Sequence, residues 1–175
     1  MKPGIVIGLV AAIAVQFFIL VGMYVKAQMP IWTGEPVSVK TVPVDPRSLF
    51  RGNYARLSYP FSTLDKALFK GRGRLRQGEV VYVSLQKGTS GLYELASVSL
   101  EQPQSGIFIR GRIAGNSFWN SSDGYQVRYG IEAYFAPKEK ALDLEKQLRD
   151  GGVADLMISA DGRASLKVVR GSGNQ

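Results

Sequence analysis

The hydrophobic pattern divides the chain into one long apolar run and a series of short alternating segments. Residues 4–25 carry no charged side chain and a single amide, Gln16. A run of this length is sufficient to cross the ~30 Å hydrocarbon layer of a bilayer as an α-helix. Lys2 and Lys26 flank it, and Tyr24 stands where an interfacial aromatic is expected. The pattern predicts a transmembrane anchor over residues 1–27.

A cleaved signal peptide is the alternative interpretation of this run. Val25-Lys26-Ala27 offers small residues suited to cleavage after Ala27. Signal peptides, however, have apolar regions of about 7–15 residues, and this run has 22. The length therefore favours a retained anchor.

Small residues recur at every fourth position of the predicted helix. Four-residue steps keep them along one side of a helix, where small side chains let a second helix approach closely. An amide in the same row can hydrogen-bond across such a contact. The row predicts packing against a partner helix, in a homo-oligomer or a larger membrane complex, although glycine and alanine are also simply common in membrane helices. Its members are Gly4, Gly8, Ala12 and Gln16.

The rest of the chain alternates in the manner of short strands. A linker over 28–36, with Pro30, Gly34 and Pro36, leads into a domain over 37–170, and the tail 171–175 is predicted to be disordered. Asp161-Gly162 is the strongest hairpin signal. The pattern predicts an α+β fold, mainly an antiparallel β-sandwich or barrel-like sheet with one or two short helices. The predicted strands are 37–42, 50–59, 80–85, 93–100, 107–113, 127–135, 156–159 and 164–169, and the predicted helices are 62–69 and 137–149.

The composition excludes several kinds of catalytic and metal-binding site. The chain contains no cysteine and no histidine, which excludes disulfides, Ser-His and Cys-His nucleophiles, and ordinary zinc, copper or haem ligation. No metal or cofactor is predicted.

Positive charge concentrates in the half of the domain that follows the anchor. The net charge is +8, and the stretch from Lys40 to Arg76 has nine basic residues against two acidic ones. Arg72, Arg74 and Arg76 alternate with Gly73 and Leu75, so in an extended chain all three arginines point one way. This strip suits an anionic ligand or anionic lipid headgroups, and a solvated basic face is the equal alternative. The anchor and the lack of interleaved aromatics argue against nucleic acid.

One stretch combines a turn with a strand. Gly52 and Asn53 tolerate positive φ and suit a sharp bend, and Pro60 ends the strand. The stretch Gly52-Asn53-Tyr54-Ala55-Arg56-Leu57-Ser58-Tyr59, with Arg51 before it, resembles the signature of the GDYXXLXY family of membrane-anchored bacterial proteins. Similar family features are Val44-Asp45-Pro46-Arg47, Tyr129-Gly130-Ile131-Glu132 and Asp161-Gly162-Arg163.

The resemblance has one departure and one implication for topology. Asn53 stands where the signature has Asp, and Asn serves equally well in a turn but cannot act as a carboxylate. The positive charges flanking the anchor would favour a cytoplasmic domain. The signal-like amino terminus and the resemblance instead imply an inner-membrane protein with a cytoplasmic amino terminus and a periplasmic domain.

Three functional hypotheses follow. The first is a non-catalytic accessory or interaction protein, with Phe118 and Trp119 as candidate partner contacts and Glu132 as a structural ion-pair partner for a signature arginine. The second is a Ser-Lys hydrolase, because Arg51-Gly52-Asn53 is also similar to a stretch of the membrane-anchored signal peptidases. The third is an anionic-ligand module built on Arg72, Arg74 and Arg76.

The hydrolase hypothesis lacks its nucleophile motif. Signal peptidases carry Ser-Met followed by Pro, which has no counterpart here, and a lysine base needs a desolvated setting. The serines available to it are Ser38, Ser48, Ser58 and Ser62, with Lys40 or Lys66 as the base.

Overall fold

The amino-terminal apolar run forms a single long helix. A computed structural model describes residues 3–42, 54–69, 74–114, 124–135, 148 and 151–171. Helix α1 spans Pro3–Thr33. The segment Pro3–Met29 is long and apolar enough to cross a membrane. Its most apolar stretch of 18 residues is not buried by any other described part of the chain. The predicted apolar helix is confirmed and is compatible with a membrane anchor.

The helix continues through most of the predicted linker. Residues 28–33 are helical, and strand β1 begins at Glu35, so only Gly34 separates the two elements. Proline inside a helix removes one hydrogen bond, but Pro30 stands only three residues before the end. The hydroxyl of Thr33 donates to the carbonyl of Met29 at 2.9 Å and satisfies one of the carbonyls that a helix end leaves open.

The described residues after the helix form ten short strands, in agreement with the predicted mainly antiparallel β fold. Eight form one sheet in the order β10-β9-β1-β5-β4-β6-β7-β3, and β2 pairs with β8. Among the strand pairs described, β1–β5 is parallel and the others are antiparallel. The strands are β1 Glu35–Thr41, β2 Tyr54–Arg56, β3 Thr63–Asp65, β4 Val80–Lys87, β5 Tyr93–Ser99, β6 Ile107–Ile113, β7 Gly124–Arg128, β8 Ala133–Phe135, β9 Gly152–Ile158 and β10 Ala164–Gly171.

The large sheet curls into a half-barrel. Three strands lie between β9 and β6 in the sheet order, yet the backbone N–H of Arg110 in β6 donates to the carbonyl of Gly162 in the β9–β10 turn at 2.7 Å. The turn confirms the hairpin predicted at Asp161-Gly162. Gly162 has φ +80, and a Cβ there would lie 2.7 Å from the Phe108 ring, so both backbone conformation and space require glycine.

The core fills the concave side of this sheet. Alternate residues of β1, β4, β6 and β9 point inward, as a period of two requires, and the predicted inward positions Val37 and Val39 are almost completely buried. The largest buried side chains at its centre are Phe61, Leu64, Ile109, Ile131 and Leu156.

The prediction of a helix over residues 62–69 is wrong for the first half of that segment. The backbone N–H of Ser62 bonds to the carbonyl of Tyr59 at 2.9 Å and closes a turn. Residues Thr63–Asp65 then pair with β7, and only Lys66–Phe69 form a 3-10 helix. Asp65 starts that helix by accepting the N–H of Ala67 at 2.8 Å. Ser62 accepts the N–H of Tyr59 rather than capping a helix.

The single strand predicted over 127–135 is two strands. β7 ends at Arg128 and β8 begins at Ala133 in the other sheet. Gly130 turns the chain between them with φ +87, a conformation that side-chain-bearing residues rarely adopt. Tyr129 and Ile131 are buried as predicted, whereas Ala133 is exposed.

Several predictions fall outside the described residues. They concern residues 44–47, the candidate serine Ser48, the turn residues Arg51, Gly52 and Asn53, Arg72 of the basic strip, the loop aromatics Phe118 and Trp119, and residues 172–175 of the predicted tail 171–175. The first residue of that tail, Gly171, is instead the last residue of β10 and pairs with Gly152, so the prediction of disorder is wrong there. Of the helix predicted over 137–149, only Leu148 is described, and it is helical and buried.

Candidate functional site

The second half of the signature is held on two sides by backbone hydrogen bonds. The N–H of Leu57 donates to the carbonyl of Glu132 at 2.8 Å, and the N–H of Val42 donates to the carbonyl of Ser58 at 2.8 Å. Just before these residues, β2 pairs antiparallel with β8. The segment therefore joins the end of β1 to the turn that follows β7.

Three aromatic side chains form the centre of this junction. Tyr59 stacks on Phe61 with ring centroids 5.4 Å apart, and Tyr129 meets Phe61 edge-on at 5.2 Å. The phenol of Tyr59 donates to the carbonyl of Ile131 at 2.8 Å, and that of Tyr129 donates to the carbonyl of Phe61 at 2.7 Å. We call Tyr59, Phe61 and Tyr129 the aromatic cluster. Each tyrosine links the signature segment to the turn after β7.

Both phenols of the aromatic cluster remain protonated. Burial, and to a smaller extent the negative charge of Glu132, raise the pKa of Tyr59 and of Tyr129 well above the ordinary value for tyrosine. The two phenols therefore act as hydrogen-bond donors at neutral pH and not as bases.

Glu132 stabilises the turn at Gly130. Its carboxylate accepts the backbone N–H of Tyr129 and, at 3.0 Å, that of Gly130. Two N–H groups that the turn leaves without strand partners are thereby satisfied. The predicted ion pair with a signature arginine stays a prediction, because Arg51 and the side chain of Arg56 lie outside the described residues.

Five cationic side chains line one cavity on the outer side of the half-barrel. The cavity has a volume of about 600 Å³, within the usual range for small-molecule sites. Arg112 and Arg128 stand directly opposite each other in the β6–β7 register. We call this cavity the arginine pocket. Its cationic residues are Arg110, Arg112, Arg128, Arg163 and, from helix α1, Lys26.

One carboxylate lies at the edge of the arginine pocket. The Asp161 carboxylate forms an ion pair with Nε of Arg163 at 3.0 Å and accepts the hydroxyl of Ser159. Burial alone would raise the pKa of Asp161, but the hydrogen bonds from Ser159 and the Arg163 backbone, with the charges of Arg163 and Arg110, lower it below its ordinary value. Asp161 therefore offsets part of the positive charge of the arginine pocket, and only on the side formed by the β9–β10 hairpin.

The comparisons with known proteins identify the family. A sequence profile described as GDYXXLXY protein matches residues 16–169. The chain belongs to the GDYXXLXY family. A comparison with curated proteins and another with solved structures find no significant match.

The GDYXXLXY signature has a structural role wherever its side chains are described. Leu57 and Tyr59 are buried, and the carbonyls of Glu132 and Ile131 accept the backbone N–H of Leu57 and the phenol of Tyr59. The aromatic cluster therefore joins Tyr59 of the signature to residues 129–132. Arg51, Gly52, Asn53 and the Tyr54 side chain lie outside the described residues.

The other predicted site residues lie apart from one another. Arg74 and Arg76 are exposed with Leu75 buried between them, as the alternation predicted, but they do not line the arginine pocket. Sequence reasoning missed the pocket. The available signal was the alternation of Arg110 and Arg112 on β6, yet the approach of Arg128 and Arg163 to them depends on strand register and on the curl of the sheet.

The small-residue row of α1, which is Gly4, Gly8, Ala12 and Gln16, is exposed.

The hairpin ion pair predicts a pH-dependent stability. The folded-state pKa of Asp161 lies below its ordinary value of about 3.8. The ionised carboxylate therefore adds its full contribution to the free energy of unfolding above pH 3.8, and this contribution is lost as the pH falls through the folded-state pKa. Asp161→Asn should destabilise the domain at pH 7 by ~0.2–1 kcal/mol, as for an exposed ion pair. Urea unfolding of the full chain in detergent at pH 7 and at pH 2.5 measures this, and the difference from wild type should shrink at low pH. Glu94→Gln, at an exposed carboxylate of β5, is the control, and a difference independent of pH would contradict the prediction.

Proposed function

We propose that this member of the GDYXXLXY family is a non-catalytic accessory subunit of a larger membrane complex. Helix α1 packs against another transmembrane helix and holds the β-rich domain at the periplasmic surface of the inner membrane. The observation that carries the proposal is the exposure of the most apolar window of the helix, none of which is covered by the described part of the chain.

The helix surface is suited to a close partner. A Cβ added at Gly4 or Gly8 would meet no atom within 4 Å, so the small-residue row is open along that part of the helix. Gln16 continues the row and is exposed. An amide within the hydrocarbon layer is best satisfied by a hydrogen bond to another helix. A membrane complex supplies that partner, and so does a second copy of the chain.

The serine side chains support a role without catalysis. The hydroxyl of Ser38 donates to the Asp155 carboxylate at 2.7 Å, and that of Ser62 accepts the N–H of Tyr59 at 2.9 Å. Both hydroxyls thus have structural partners. These contacts favour an interaction module over a Ser-Lys hydrolase that uses Ser38 or Ser62, whereas the candidate Ser48 lies outside the described residues.

Substitution on the helix tests the proposal. Ala12→Leu should disrupt helix packing, whereas Ala14→Leu, two positions along and about 200° around the helix, should leave it intact. Enlarging a small side chain in a close-packed contact usually costs about 1–3 kcal/mol, so we expect a roughly 5- to 150-fold loss of crosslinked product for Ala12→Leu. The measurement is crosslinking in native membranes followed by mass spectrometry of the captured proteins.

The outcomes separate the alternatives. Equal crosslinking of the two variants, or a wild-type chain that yields only monomer, would contradict a subunit role. Capture of a second copy alone would indicate a homo-oligomer. The orientation has its own test, because protease added to intact spheroplasts should cleave the β-rich domain if it is periplasmic.

A further inference from the structure

We infer that the arginine pocket binds a phosphate group at the membrane surface. The group belongs either to the headgroup of an anionic lipid or to a soluble phosphate compound. This inference goes beyond the proposed subunit role, since it requires no partner helix and rests on different residues.

The pocket brings together cations that are distant in sequence. β6 supplies Arg110 and Arg112, β7 supplies Arg128, and the β9–β10 turn supplies Arg163. The curl of the sheet brings that turn to β6, where the Arg110 N–H bonds to the Gly162 carbonyl. The convergence is therefore a product of the tertiary fold and not of a local run of basic residues.

Positive charge in the pocket is mostly uncompensated. No acidic residue is among the described residues that line it. Asp161 pairs with Arg163, and Arg112 donates from Nη1 to the Gly78 carbonyl at 3.0 Å. Within the described chain, the Arg128 guanidinium has neither a hydrogen bond nor an ion pair. Like charges directly opposite each other on neighbouring strands are destabilising, so the Arg112–Arg128 pair weakens the fold unless an anion lies between them.

The lining of the pocket leaves room for an anion between the arginines. Small residues at Gly78, Gly111, Ala114 and Gly130 form part of its lining, and a Cβ at Gly78 or Gly130 would meet no atom within 4 Å. Guanidinium groups bind phosphate through two parallel N–H···O bonds, which favours arginine over lysine at such sites. Four arginines around one open space match that chemistry.

The position of the pocket connects it with the bilayer. Lys26 and Ala27 of α1 line it, and they directly follow the uncharged residues 4–25. At 1.5 Å per residue those residues span ~33 Å, about the thickness of the hydrocarbon layer. Lys26 therefore lies at the level of the headgroups, and so does the side of the pocket that it forms.

Native mass spectrometry of the full chain in detergent tests the inference. Wild type should retain phosphatidylglycerol in preference to phosphatidylcholine. Arg110→Gln with Arg128→Gln should weaken that retention about 30-fold, as expected for two lost cations near a headgroup. Arg74→Gln with Arg76→Gln removes the same charge from exposed positions outside the pocket and should have no effect. Arg110→Lys with Arg128→Lys keeps the charge without the two-pronged geometry and should give an intermediate loss.

A competition arm identifies the source of the phosphate. If 10 mM inorganic phosphate leaves phosphatidylglycerol bound, the ligand is a lipid headgroup. If phosphate displaces the lipid, and raises the thermal midpoint of wild type but not of the Gln pair, the ligand is a soluble phosphate compound. Equal retention by wild type and the Gln pair would overturn the inference. So would an equal loss in the Arg74/Arg76 control, or no preference by wild type for either phosphate source. The Lys pair carries the test if the Gln pair fails to fold.

Discussion

Replacing Phe61 by alanine is expected to destabilise the domain by about 3–5 kcal/mol, the usual effect of truncating a buried phenylalanine. Its side chain is 1% exposed and contacts both tyrosines of the aromatic cluster. Alanine would leave a cavity between two rings whose phenols are fixed by hydrogen bonds to backbone carbonyls. The rings cannot collapse into the space without breaking those bonds, so the loss should be near the upper end of the range.

Urea unfolding of the full chain in detergent, followed by far-UV circular dichroism, measures this effect. Phe61→Leu keeps most of the apolar volume but loses two ring contacts, so it should lose about 1–3 kcal/mol, at ~0.5–1.5 kcal/mol for each aromatic pair. A loss below ~1 kcal/mol for Phe61→Ala would mean that the aromatic cluster does not hold the signature segment to the turn after β7.

Gly111→Ala is expected to destabilise the domain by about 1–3 kcal/mol, as overpacking of a core usually does. A Cβ at position 111 would lie 2.7 Å from Cε1 of Tyr129 and closer still to Cγ1 of Val127. Val127 is buried, with a stiff β-branched side chain, and the Tyr129 ring is held by its phenol. Neither neighbour can move away freely.

Gly88→Ala is the matched control for this substitution. A Cβ at Gly88 would meet the carboxylate of Glu94 at 2.9 Å, but Glu94 is exposed and its flexible side chain can move into solvent. Its urea midpoint should differ little from that of wild type. Equal midpoints for the two variants would contradict the inference that Tyr129 packs tightly on β6.

The fold class could be predicted from sequence because most strands are short, alternating and bounded by turns. Val80–Lys87, Ile107–Ile113 and the hairpin at Asp161-Gly162 carry local signals strong enough to locate them. The break at Gly130 could not be predicted by alternation, since Tyr129 and Ile131 keep the inward pattern across it. The useful signal was the spacing of Gly130 and Glu132, because a carboxylate two residues after a glycine can accept the N–H groups of a turn.

The arginine pocket could not be predicted from sequence, because it depends on contacts between strands that are distant in the chain. Arg128 faces Arg112 only because of the β6–β7 register, and Arg163 approaches them only because the sheet curls until the last hairpin reaches β6. A one-residue change in register would turn every side chain of β7 to the opposite face. The helix predicted over 62–69 is wrong for a related reason, since residues Thr63–Asp65 pair with β7 instead of forming the first turn of a helix.

The connection between α1 and the β-rich domain is a single residue long. Gly34 alone separates the last turn of the helix from Glu35, and β1 pairs with both β9 and β5 inside the large sheet. A rotation of α1 relative to the domain would therefore act directly on an interior strand, because no linker longer than one residue lies between them. Lengthening this joint with a flexible glycine-serine insert would uncouple the two parts while leaving every contact within each of them unchanged.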